Sequence, residues 1–195
     1  MANCSNTLTT LAASCAATKK RGGYDKRFWI GSIEDLVAVT GVTYGTEQEV
    51  TALAFDTGKG LISYTGKRLK HSSTGSIEKG ENTKLRVQSF TAILYAQTAA
   101  ERLSIEQLID AEDVYVLAES NSGSIEVFGI NKGDNSVFDN YGLDCETVED
   151  RNGALLNDDT SIALTFTGQL ENLPLVFNEG VTLAANIVTL DAYIV

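Results

Sequence analysis

TAAERLSIEQLIDAEDVYVLAESNSGSIEVFGI, Thr98 to Ile130, decides how this chain is built. Two overlapping capping boxes open it, Thr98 with Glu101 and Ser104 with Gln107. In each, a hydroxyl can accept from a free backbone N–H while the later side chain reaches back. A helix of about three turns is expected over 99–111. Ile105, Leu108 and Ile109 make one apolar stripe at ~100° per residue, the pattern of a helix that faces a core. Leu103 falls off that stripe. Val114 to Ala118 and Ile125 to Ile130 then read as the two strands of a hairpin around Ser120-Asn121-Ser122-Gly123, with glycine supplying the positive φ such turns need. No catalytic motif interrupts the segment.

Outward from there the pattern is β-rich. Glycine repeatedly punctuates short runs of Val, Ile, Thr, Tyr and Phe. Strands are expected from Phe28, over Val50–Phe55, Leu61–Leu69 and Lys84–Ala96, and later over Ser161–Gly168, Leu173–Phe177 and Ile187–Val195. In Lys84–Ala96, Arg86, Gln88, Phe90, Ala92, Leu94 and Ala96 share a face that turns from polar to apolar, so one end should be solvated and the other buried. Residues 61–96 read as a long protruding hairpin whose polar part, from His71, is exposed. Residues 131–160 hold eight acids and two bases and read as acidic loops. These readings make the protein mainly β, a β-sandwich or barrel with one flanking α-helix and a long protruding hairpin. The expected organisation is an N-terminal arm over 1–27 and a single domain over 28–195.

Composition limits the function classes. Hydrophobic residues make up 43% of the 195, enough for a core in one domain. No apolar run approaches the ~20 residues of a membrane helix, so no membrane insertion is expected. Met1 to Thr18 has no basic residue ahead of its mildly apolar stretch, unlike a secretion signal. The net charge of −11 is unevenly spread. Residues 1–30 carry +4, residues 31–58 carry −5, residues 59–86 carry +5 and residues 87–195 carry −15. Each block can be a solvated face. Together they also suit a subunit whose basic part meets the acidic part of a neighbour, which steers association and register. The residues assigned to such inter-subunit contacts are Lys67, Arg68, Lys70, Lys79, Lys84 and Arg86 on the basic side, and Asp144, Glu146, Asp158 and Asp159 on the acidic side.

The inventory for chemistry is thin. The only histidine, His71, lies in a basic, polar stretch and reads as a surface residue, without the orienting partner a catalytic base needs. There is no Walker loop, and Gly129 to Gly133 lacks the strand–helix context of a dinucleotide site. Asp144, Glu146, Glu149, Asp150, Asp158 and Asp159 could bind calcium, but at no EF-hand spacing; the alternative is a solvated acidic loop. Cys4, Cys15 and Cys145 match no metal-ligand spacing and no disulfide framework, with a Cys4–Cys15 bridge left open. Paired carboxylates for glycoside hydrolysis are not visible in order alone. The acidic balance disfavours tight binding to a phosphate backbone. No enzymatic activity and no cofactor are expected.

The order of parts resembles the bacteriophage tail tube proteins, most of all structural proteins of phages that infect Bacteroidetes. The residues that carry this are Phe28-Trp29-Ile30-Gly31, the hairpin from Leu61 to Ala96, the segment from Thr98 to Ile130, and Leu164 to Leu175 (LTFTGQLENLPL). The resemblance covers most of the chain and rests on element order and turn chemistry. It implies a tail-tube type of sandwich and a virion protein of the tail, assembled in the host cytoplasm. It also implies hexameric rings that stack into a tube, with other tail proteins as partners. Each subunit would give strands to a continuous inner barrel, with arms and hairpin touching the next subunit or ring. DNA would pass without specific binding through a lumen that is commonly acidic. Here the acids concentrate after Asn131 rather than on an evident inward strand face. Related readings are a tail terminator, a head–tail connector ring, or the tube of a bacterial injection machine. A reading of another class is a secreted β-sandwich adhesin or carbohydrate-binding module.

Overall fold

A computed structural model describes residues 23–38, 40–45, 48–66, 70–79, 84–95, 98–132, 142–151, 161–180 and 182–195, with the backbone alone for Lys26, Glu78, Lys79, Lys84 and Arg151. Five consecutive residues, Val114 to Ala118, are all buried. Successive strand residues point to opposite faces, so this strand must be covered on both sides.

The strand is β7 (Val114–Ser120). It sits inside a seven-stranded sheet with β1 (Tyr24–Ser32), β2 (Val42–Tyr44), β3 (Glu49–Leu53), β4 (Ile62–Thr65), β8 (Ile125–Phe128) and β11 (Leu175–Phe177). The order is β2-β3-β11-β8-β7-β1-β4, antiparallel except where β3 meets β11. A second sheet has the order β5-β6-β10-β9, from β5 (Ser72–Lys79), β6 (Lys84–Leu94), β9 (Asp144–Arg151) and β10 (Ser161–Leu170), antiparallel throughout. Among the described residues there are also two helices, α1 (Ala99–Ile109) and α2 (Leu183–Ala192), and a short 3₁₀ turn at Ile33–Asp35.

Each face of the larger sheet has its own core. Phe28, Ile30, Val116, Ala118 and Phe128 pack against Phe90, Ala92, Leu94, Leu164 and Phe166 of the smaller sheet, and Ile105 and Leu108 of α1 join them. Burying each of these phenylalanines contributes about 2–3 kcal/mol. On the opposite face, Trp29, Tyr115, Leu117, Val127 and Phe177 pack with Leu190 of α2. Asp191 pins that helix to β1. It accepts from the Trp29 indole at 3.3 Å and pairs with Arg27 at 3.1 Å, while the Arg27 guanidinium lies 4.6 Å over the Trp29 ring.

The opening helix and hairpin stand where the sequence pattern put them. Thr98 Oγ1 accepts from the Glu101 N–H (3.2 Å) and Glu101 Oε2 from the Thr98 N–H (2.8 Å), a complete capping box. Leu103 is exposed. Gly123 has φ +89° in the β7–β8 turn. The second capping box does not form. Ser104 lies inside the helix, and its hydroxyl donates to the Ala100 carbonyl, the back-bonding open to a mid-helix serine.

Other expectations need correction. Residues 187–195 are not a strand: Leu183, Ile187 and Leu190 take helical spacing behind the Thr182 N-cap, which accepts from the Ala185 N–H. Among the described residues there are therefore two flanking helices, not one. Residues 61–96 are not one hairpin, because β4 pairs with β1 in the large sheet and only β5 and β6 pair with each other. Tyr24 to Arg27 belong to β1 rather than to an arm; residues 1–22 lie outside the described residues. Within 131–160, residues 144–151 are strand β9, held by β10. Gln88 is buried rather than solvated, donating to the Asn172 carbonyl (2.8 Å) and accepting from the Gly129 N–H (3.3 Å).

His71 is not a surface residue. It is 1% exposed, between Phe28 (edge-on, centroids 5.1 Å) and Phe90 (stacked, 6.2 Å), and its Nδ1 accepts from the Ile93 N–H at 3.1 Å. The ring thereby fastens the start of β5 to β6. His71→Ala is expected to lower stability by about 2–4 kcal/mol, from the cavity and the orphaned Ile93 N–H. Urea unfolding measures this, and a loss under about 0.5 kcal/mol, the level of an ordinary surface change, would place the ring outside the core.

Candidate assembly surfaces

The smaller sheet ends in two edges to which no described strand pairs, β5 and β9. Each is eight residues long. An uncovered edge of that length presents unpaired backbone groups to any passing strand, and folded proteins commonly protect it with charge. On β9 the protection is acidic: Asp144, Glu146, Glu149 and Asp150 are all exposed, with Val148 44% exposed among them. On β5 the described side chains Ser72, Thr74 and Ser76 are small and polar, and Ile77 is 67% exposed. Lysines stand at both ends of that strand. Lys70 precedes it, exposed, and the backbones of Lys79 and Lys84 pair across its far end.

The ten residues assigned to inter-subunit contacts are thus only partly placed. Lys67, Arg68, Asp158 and Asp159 lie outside the described residues. Lys70 lies at the β5 edge, and Asp144 and Glu146 lie on β9, across the sheet from it. Two of the ten also serve within the subunit. Arg86 donates to the Glu171 backbone carbonyl. Asp144 Oδ1 accepts from the Asp113 N–H (3.1 Å), at a residue whose φ of +50° is held by this contact and by its own side chain accepting from the Gly142 N–H. Among the described residues no group of three or more His, Cys, Asp or Glu side chains could hold a metal ion. The carboxylates of β9 are therefore spread along a strand rather than gathered.

The face of this sheet that points away from the core was not singled out in the sequence. Register places Ser72 beside Thr91, Thr91 beside Thr165, and Thr165 beside Thr147. The neighbouring row runs Thr74, Ser89, Thr167 and Asp144. The Thr91 and Thr165 hydroxyls lie 3.1 Å apart, and Thr167 donates to Ser89 at 3.5 Å. The signal was available as a spacing: Ser72-x-Thr74, Ser89-x-Thr91 and Thr165-x-Thr167 each repeat a hydroxyl at the strand period of two.

No protein-family model, curated protein or solved structure matches this chain. Two clefts open beside these surfaces. One of about 320 Å³ is lined by Ser73, Ile77, Gln88, Phe128, Leu173 and Pro174, where β5 and β6 overhang the larger sheet. The other, of about 200 Å³, lies between α1 and the β1–β4 pair, with Asp35, Tyr64 and Gln107 at its polar points. No described helix is long and apolar enough to cross a membrane.

Several tyrosines are held in the protonated form. Burial, then the hydrogen bond it donates to Glu126 (2.5 Å), drives Tyr24 far above the ordinary tyrosine range. Burial, with the charge of Asp35 behind it, does the same to Tyr115. Tyr193 is pushed up to about 12 by burial and by the Glu179 carboxylate. A raised folded-state value means that the stabilisation is complete below the unfolded value of about 10 and is lost as pH climbs through the folded one. The urea midpoint should accordingly hold between neutral pH and about pH 9 and fall above about pH 10. Absorbance at 295 nm should show Tyr115 ionising only with unfolding, and all seven tyrosines titrating together near pH 10 in the folded protein would refute this packing.

Proposed function

We propose that this chain is a non-enzymatic structural subunit of a bacteriophage tail tube, joining copies of itself head to tail in hexameric rings that stack into the conduit for DNA ejection. The observation that carries the reading is the four-stranded sheet, whose two open edges run in opposite directions and differ in charge. Four antiparallel strands put β5 and β9 opposite in sense. A copy related by rotation then brings its β5 antiparallel to the β9 of its neighbour, and ladder hydrogen bonds continue from subunit to subunit. Such a contact is heterologous and either closes into a ring or winds into a filament.

The charges suit that contact. Carboxylates along β9 repel a second β9, whereas a β5 edge flanked by lysines accepts them. The pairing that builds the ring is favoured while the like pairing is penalised. The edge carboxylates thus protect the free monomer and select its partner. The resemblance to tail tube proteins carried by Phe28–Gly31, Thr98–Ile130 and Leu164–Leu175 supports the same assembly, without the single hairpin over 61–96, since β4 pairs with β1, and the stacked rings would add other tail proteins at their ends.

Negative-stain microscopy of the purified protein tests the reading. Tubes or stacked rings are expected, single rings would favour a terminator or connector, and a monomer persisting at high concentration would overturn it. Glu146→Lys with Glu149→Lys should raise the concentration needed for assembly by roughly tenfold, from screened pairs of about 0.2–1 kcal/mol each. Adding Lys70→Glu and Lys79→Glu should recover part of that loss. Assembly that ignores these exchanges, and also ignores a rise to about 1 M salt, would remove the edge charges from the contact.

A further inference from the structure

The resemblance implies a commonly acidic lumen, yet the outward face of the small sheet is something else. Along the row Ser72, Thr91, Thr165 and Thr147, every strand contributes a hydroxyl. The next row contributes Thr74, Ser89 and Thr167 before reaching Asp144. With strands ~4.8 Å apart and like-facing residues ~6.7 Å apart along each strand, these hydroxyls form a regular grid. The opposite face of the same strands carries Phe90, Ala92, Leu164 and Phe166, all buried in the core between the sheets. Among the described side chains of the outward face, the charged ones are Asp144 and Glu149, both on the edge strand β9.

We infer that this hydroxyl grid is the wall of the conduit, and that duplex DNA passes over an uncharged, hydrated surface with the acids confined to the seams between subunits. The inference rests on the tube reading above. A continuous sheet built from copies of β5-β6-β10-β9 has only two faces, and one of them is already occupied by the subunit's own core. The other faces either the lumen or a further layer of protein. The same face carries Ile93 and Ala163 in the row on one side of the grid and Val87 in the row on the other, but a layer that packs dry would need a continuous apolar surface, and the centre of this face carries Thr91, Thr165, Ser89 and Thr167, half-buried and hydroxyl-bearing. Hydroxyls donate and accept, so they hold water across the whole grid. They offer no cation to displace the counterions of a phosphate backbone, which is the step that gives non-specific DNA binding its strength. At the β9 seam, Glu149 and Asp144 would stand beside the lysine-flanked β5 of the next copy.

Cysteine accessibility decides it. In a background of Cys4→Ser, Cys15→Ser and Cys145→Ser, Thr165→Cys places a thiol in the grid and Val188→Cys places one on the exposed side of α2. Microscopy first establishes whether each variant assembles. In assembled tubes the Thr165→Cys thiol should react with N-ethylmaleimide and be blocked toward a polyethylene-glycol maleimide too bulky for the lumen. The Val188→Cys thiol should react with both. Tubes in which the Thr165→Cys thiol takes both reagents put the grid outside; tubes in which it takes neither make it a dry contact. Either result overturns the inference and leaves the tube reading standing. Failure of the unsubstituted protein to assemble overturns both. The neutrality has its own readout: tubes carrying Thr91→Lys and Thr165→Lys should retain about tenfold more short duplex DNA at low salt than unsubstituted tubes. Equal retention would show that the passing duplex does not touch this face.

Discussion

Gly31 of β1 lies opposite Tyr115 of β7, and the missing side chain at Gly31 admits the tyrosine ring. A Cβ there would come within 2.4 Å of the Tyr115 hydroxyl and within 2.9 Å of two ring carbons. That close approach lets β1 and β7 pair with Trp29, Tyr115 and Leu117 all on one face. The other face of the same pair carries Phe28, Ile30, Val116 and Ala118. A strand pair apolar on both sides needs a cover on each. The short α2 with its Asp191 link to Trp29 and Arg27 supplies one. The four-stranded sheet supplies the other and, in doing so, spends only one of its own faces and neither of its edges.

How much of this was legible in the residues depends on whether local pattern and tertiary partner agreed. The Thr98 cap and the Ile105–Leu108 stripe are local and agree with the fold, so α1 stands where the pattern puts it. Among the described side chains the alternation expected for β6 holds from Leu85 to Leu94 except at Gln88. There burial is tolerated only because Asn172 and Gly129, both distant in sequence, satisfy the amide. Ile187 to Val195 is rich in β-branched residues and reads as a strand. Its helix comes from the Thr182 cap and from an apolar spacing that begins earlier, at Leu183. Strand β9 is hidden for a different reason. Four acids in eight residues have low strand propensity, and only pairing to β10 holds them extended. His71 is hidden by its neighbours: Lys70 and Ser72 are exposed on either side of it, and no periodicity marks a single inward residue.

The charge blocks were visible from composition, but their meaning was not. In the sequence, the basic stretch 59–86 and the acids after Asn131 are separated by a helix and a hairpin. Folding sends part of the first block to one edge of the small sheet and Asp144 to Asp150 to the other. Nothing in residue order fixes that arrangement. It follows from β6 and β10 pairing at the centre of the sheet, which pushes β5 and β9 outward. A spread of charge that reads as solvated faces in one dimension becomes two unlike rims of one sheet in three.

Those rims pose a physical problem for a free subunit. Eight residues of ladder on each side, to which no described strand pairs, cost little while water satisfies them, yet they invite pairing with any extended chain. In the proposed assembly the acids of β9 would suppress like-with-like pairing, with Glu149 and Asp150 adjacent on the strand and Glu146 three residues away from Glu149. Pairing with a lysine-flanked edge would set unlike charges against each other and fill the ladder at once. Since screened surface pairs contribute at most about 1 kcal/mol each, the charges alone cannot hold an assembly. In the proposed assembly they would choose the partner, and the backbone hydrogen bonds together with the exposed Val148 and Ile77 would carry the affinity. Charges confined to the rims also leave the hydroxyl face between them nearly neutral, and in a closed ring that separates the chemistry of joining subunits from the chemistry of the surface they enclose.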